Sequence, residues 1–98
     1  MGQAIEVEAT AIGEVAVFDT DRTISGQDGQ QFATQSEAEA SPTFPGQLAR
    51  RLFEADGSVA HIFAASNAIT MQRAGGWDQE SLAVTSSVIE DFFLFYRP

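Results

Sequence analysis

Cysteine does not occur in the 98 residues, and neither does lysine. Without a thiol the chain forms no disulfide, offers no thiolate nucleophile, and gives no cysteine ligand to zinc or to an iron–sulfur cluster. Positive charge rests on five arginines against fourteen aspartates and glutamates, a formal net charge of -9. That balance repels phosphate backbones and anionic lipid surfaces, so nucleic acid and membranes are not expected partners. No stretch of about 18 apolar residues is present, and no basic segment leads into an apolar run at the N-terminus. The expected setting is therefore soluble and cytoplasmic, with one domain around one core.

What is present is organised around residues 48–72. Leu48, Leu52 and Ala55 recur at helical spacing and Ala49 pairs with Phe53, while Arg50, Arg51, Glu54 and Asp56 fall mostly on the other side. Gly57 is expected to cap this helix in the left-handed conformation. A strand follows, with Val59, His61 and Phe63 on one face and Ala60, Ile62 and Ala64 on the other, a pattern expected to be covered at least partly on both sides. Ser66 and Asn67 supply turn chemistry, and residues 68–72 read as the returning strand.

Upstream, Ile5, Val7 and Ala9 alternate with Glu6, Glu8 and Thr10, the period-two signature of a strand with one dry face. Gly13 breaks that pattern, and residues 15–18 form a second strand, paired antiparallel across a short link. Gly26, Asp28 and Gly29 mark a loop, and Phe32 anchors a short third strand within 30–35. Residues 36–46 are polar and then proline-bearing, so 41–44 is expected to be a turn and the helix to begin near Pro45. Beyond the Gly75 and Gly76 break, Asp78 is placed to cap a last helix. Its apolar set of Leu82, Val84, Val88, Ile89, Phe92, Phe93, Phe95 and Tyr96 is expected to bury one broad face, with 92–96 either wedged within the molecule or meeting a partner. The expected fold class is α+β in two layers: a mostly antiparallel sheet of four to five strands, in the order β-β-(β)-α-β-β-α, with two helices on one face.

Few residues look chemical. Asp19, Asp21 and Thr23 after an apolar strand resemble the first motif of the haloacid dehalogenase phosphatases, in which the first aspartate attacks phosphorus beside magnesium. That chemistry needs a phosphate-neutralising lysine and a parallel doubly wound sheet, which this chain lacks or is too short to build. The motif reads more simply as a solvated turn. His61 is the single histidine, and alone it cannot make an ordinary transition-metal site, so a structural role is expected. No spacing supports a catalytic triad or a calcium loop. No catalytic, cofactor-binding or metal-ligating residue is therefore assigned. The residues singled out for partner contact are Arg50 and Arg51 on the outer helix face, with Phe92, Phe95 and Tyr96 in the apolar tail.

Taken in order, Ile5 to Thr10, Phe18, Arg22, Phe32, Ala40, Ser41 and Pro42, the Leu48 to Phe53 helix, Gly57, Ile62 and Phe63, Ile69 to Met71, and Trp77 resemble the N-terminal domain of Nfu/NifU-type iron–sulfur cluster scaffold proteins. The resemblance spans nearly the whole chain. It departs at Ala11-Ile12-Gly13, in an inserted segment 43–47, at Ala68 and after Trp77. In that family a Cys-x-x-Cys in a separate domain holds the cluster, so no ligand carries over to this chain. The resemblance implies a non-catalytic protein-interaction module tied to iron–sulfur cluster assembly or delivery, with a cysteine-bearing scaffold or apoprotein as partner. A relative that has turned to an unrelated partner is the other expectation.

Overall fold

The structure, a computed structural model, describes residues 6–24, 26 and 28–95. Ile5 and Tyr96 lie outside the described residues. The order is β1 (Val7–Ile12), β2 (Val15–Thr20), β3 (Gln30–Phe32), α1 (Gln35–Ala40), α2 (Phe44–Ala55), β4 (Val59–Ala65), β5 (Ala68–Arg73) and α3 (Gln79–Phe95). The strands form one sheet ordered β1-β2-β5-β4-β3, antiparallel at each pairing. Two hairpins, β1-β2 and β4-β5, thus meet along the β2-β5 seam. The fold is α+β, with the helices against one face of the sheet.

The helix count is three, where the sequence pattern suggested two. Helix α1 forms inside the polar segment because its ends are well satisfied. Thr34 accepts the Glu37 N–H at 3.2 Å, the Glu37 carboxylate accepts the Ala33 N–H at 3.0 Å, and Ala38 is buried. Pro42 then prevents continuation, and Thr43 caps α2 by accepting the Gly46 N–H at 3.1 Å. Strand β3 is three residues long, shorter than the 30–35 span expected.

Phe18, Leu48, Leu52, Ile62, Ile69, Met71 and Ile89 are the largest fully buried side chains. Each such side chain contributes about 1.5–3 kcal/mol through removal of apolar surface from water. Helix α2 buries Leu48, Ala49, Leu52 and Phe53 as its spacing suggested, but Ala55 is exposed. Helix α3 buries a narrow stripe of Ser81, Thr85, Ile89 and Phe92; Val84 is 44% exposed and Leu94 39%, so the broad apolar face is not all covered. In β1, Val7 packs on the core while Ala9 is exposed, because this strand sits at the sheet edge.

Two local expectations are corrected. Between Val59 and His61 the β4-β5 register shifts, leaving Ala60 as the extra residue of a bulge. Val59 therefore turns inward with Ile62 and Ala64, while His61 and Phe63 face away. Gly57 is not a left-handed cap. The residue closing α2 is Asp56, in extended conformation, and its carboxylate accepts the Ser58 N–H at 2.9 Å to carry the chain out of the helix. Positive φ is required instead at Gly29, where φ is 74° and an added Cβ would lie 2.7 Å from Phe63 Cζ and 2.9 Å from the Ala64 carbonyl. Gly57→Ala, with open space and no positive φ, is expected to change unfolding free energy by less than about 0.5 kcal/mol, while Gly29→Ala loses about 1 kcal/mol or more. Urea unfolding of the two variants measures the contrast, and equal losses contradict it.

Candidate functional site

The phosphatase-like residues come to rest at an exposed corner of the sheet. Asp19, Asp21, Glu6, Glu8 and Thr20 line a shallow depression of about 170 Å³. Asp21 accepts the Glu6 N–H at 3.3 Å. The Thr20 hydroxyl has one proton to share between the Arg22 and Asn67 carbonyls, 2.7 and 3.0 Å away, and it accepts the Arg22 N–H at 3.2 Å. Asn67 returns the contact by donating its amide to the Thr20 carbonyl at 2.7 Å, which locks β2 to the β4-β5 turn. Among the described residues four carboxylates and no cation line the depression, so a phosphate monoester there meets repulsion from them. Among the described residues, no group of three or more histidines and carboxylates is disposed to hold a metal ion. His61 lies on the sheet face away from the helices, in register with Gln72.

The displaced pKa values cluster elsewhere, at the junction of α2, β5 and α3. Arg73 Nε donates to Asp56 Oδ2 at 2.7 Å, the one ion pair among the described residues, and Nη1 donates to the Gly76 carbonyl at 2.8 Å. The same guanidinium stands 5.9 Å from the centre of the Trp77 ring. Trp77 in turn donates to the Glu14 carbonyl at 2.9 Å and meets Phe18 edge-on at 5.4 Å. Asp78 caps α3 as its sequence position suggested: its carboxylate accepts the Ser81 N–H at 2.7 Å and the Ser81 hydroxyl accepts the Asp78 N–H at 2.9 Å.

Burial pushes the Asp56 carboxyl up, but the Arg73 hydrogen bond and charge and the Ser58 N–H outweigh it and hold the pKa below the ordinary 3.8. The Ser81 N–H, and then its hydroxyl, hold Asp78 low as well. The hydrogen bond to Asp56 raises Arg73. Perturbed groups in a cleft are candidates for catalysis, yet here each is engaged in fixing a helix end. A depression of about 260 Å³ lies beside Asp56, Arg73, Asp78, Glu80 and Ser81, where Asp56, Arg73, Asp78 and Ser81 each make the hydrogen bonds described above.

Of the residues assigned to partner contact, Arg50 and Arg51 are exposed on α2. Arg51 lies 5.9 Å from the centre of the Phe92 ring and lines a groove of about 320 Å³ between α2 and α3 with Glu54, Val88 and Asp91. Phe92 is a correction: it is 5% exposed and packs edge-to-face with Phe44 at 5.1 Å, so its ring belongs to the core. Phe93 also meets Phe44 at 5.1 Å, which closes the tail against the start of α2. Phe95 ends α3.

The sequence reading missed the sheet face away from the helices. Register places three rows of side chains across it: Ile12, Val15, Gln72 and His61; then Thr10, Val17, Thr70, Phe63 and Gln31; then Glu8, Asp19, Ala68 and Ala65. Ile12 is 82% exposed, Val15 43% and Phe63 36%. The signal was available, since Val15, Val17 and Phe63 are apolar at positions opposite in phase to the buried Ala16, Phe18, Ile62 and Ala64. Compared with known proteins, the chain matches no family model and aligns with no curated protein. No helix among the described residues is long and apolar enough to cross a membrane.

The low pKa values of Asp56 and Asp78 carry a pH dependence of fixed sign. Both folded values lie below the unfolded ones, so the stabilisation is complete above about pH 4 and is lost as pH falls through the folded values. Asp56→Asn is expected to lower the melting temperature at neutral pH and to flatten the acid limb below about pH 4. Thermal melts across that range measure it, and an acid limb identical to the parent's contradicts the assignment.

Proposed function

We propose that this chain is a non-catalytic docking module that serves iron–sulfur cluster assembly or delivery in the cytoplasm, beside a separate cysteine-bearing scaffold or apoprotein. One observation carries the docking part: the carboxylates and guanidinium with displaced pKa values are tied into helix ends, while no described helix covers the sheet face that bears the exposed Ile12, Val15 and Phe63 and the half-buried Val17. General acid–base chemistry is favoured by a displaced group left available to substrate. Docking needs apolar surface left available to a partner. The iron–sulfur part is supported by the resemblance of the ordered residues from Ile5 to Trp77 to the Nfu/NifU N-terminal domain. With no cysteine in the sequence, the cluster would be held by the partner.

Affinity capture with the full chain as bait is expected to recover a protein carrying a Cys-x-x-Cys cluster site or a cluster-accepting apoprotein. Recovery of other partners alone overturns the iron–sulfur assignment and favours a relative diverted to a new partner. The purified chain is expected to be inert toward phosphate monoesters with magnesium. Turnover that disappears in Asp19→Asn would restore the phosphatase reading.

A further inference from the structure

Resting on the docking role proposed above, we infer that the open face of the sheet is the docking surface and that it takes a basic, apolar protein segment. The face has two parts. An apolar band runs from Ile12 and Val15 through Val17 and Thr70 to Phe63, Ala65 and Ala68. At one corner of the band, Glu8 stands directly across from Asp19, with Glu6 and Asp21 beside the same depression. Like charges directly opposite on neighbouring strands oppose sheet formation, and among the described residues no arginine forms an ion pair with them. An arginine or lysine of a partner placed at that corner relieves the repulsion, while its neighbouring apolar side chains cover the band.

Charge and area both argue against a second copy as the occupant. Two copies bring together formal charges of -9 each. Strand spacing of about 4.8 Å and a two-residue rise of about 6.8 Å give four strands and three rows an area on the order of 400 Å², against about 800 Å² per partner in a stable interface. A basic partner gains from the same net charge that repels a copy, through faster, salt-sensitive association.

Two extended peptides test this with the full chain: one alternates arginine with leucine, the other glutamate with leucine. The arginine peptide is expected to bind saturably, to weaken with added salt, and to shift amide resonances centred on Val15, Val17, Phe63 and Thr70. The glutamate peptide is expected not to bind. Glu8→Gln combined with Asp19→Asn, both exposed positions, should weaken the arginine peptide about tenfold without lowering the melting temperature. Val17→Thr provides a second, apolar arm with the same expected direction. Equal binding of both peptides, no binding, shifts centred on α2 and α3, or a dimer closed over this face in sedimentation each overturns the assignment. If the parent captures a cysteine-bearing scaffold and the double variant captures it equally, the surface is wrong and the iron–sulfur role stands. If the peptide docks on this face but no such scaffold is captured, the reverse holds.

Discussion

Alternate side chains leave a strand on opposite sides, so a sheet has two faces to satisfy, and α1, α2 and α3 lie on only one of them. Ala16, Phe18, Ile62, Ala64, Ile69 and Met71 all point toward those helices and are buried there. Their neighbours in sequence necessarily point the other way. A protein with nothing to meet on that side would be expected to carry polar residues at the outward positions. Here Val15, Val17 and Phe63 occupy several of them, which leaves apolar side chains on the face away from the helices.

The covered side is held by a small number of polar locks at the ends of elements. Asp56 sits at the negative end of α2, an unfavourable place for a carboxylate, and Arg73 from β5 neutralises it. That arginine also holds the Gly76 carbonyl and stands against Trp77, whose indole anchors the turn between β1 and β2 through Glu14. One side chain thereby ties together a helix end, a strand end and the connection to α3. The second lock, between Thr20 and Asn67, fixes the two hairpins to each other on the opposite side of the seam. Together the two locks tie the elements that border the sheet to one another.

Much of this was legible in the chain itself. The strands and both hairpins follow from period-two alternation, the buried face of α2 from helical spacing, and the α3 cap from Asp78. Helix α1 was hidden because its formation depends on caps at Thr34 and Glu37 and on burial of one alanine, none of which produces an apolar period. The inward turn of Val59 depends on a bulge, and a bulge changes phase without any change in composition. Gly57 looked like a cap because a glycine stood in the right place, yet the Asp56 side chain does the work. The Arg73 to Asp56 pair joins residues 17 apart in sequence and no local spacing announces it. The open face was misread for a related reason: apolar residues in both phases of a strand fit burial on both sides equally as well as apolar side chains left exposed on one side.

The acidic charge and the absence of cysteine, which at first only excluded functions, acquire a positive sense on this architecture. Negative charge discourages self-association, and without a cysteine this sequence offers no thiolate ligand to a cluster, which is consistent with the proposed role. The claim beneath the whole account is that the sheet is covered on one side only. Side-chain relaxation enhancement by a soluble nitroxide measures this most directly in the free chain. Strong enhancement at the methyl groups of Ile12, Val15 and Val17, with the Ile62, Ile69 and Met71 methyls protected, is the result this account predicts. Protection of both sets alike would contradict it.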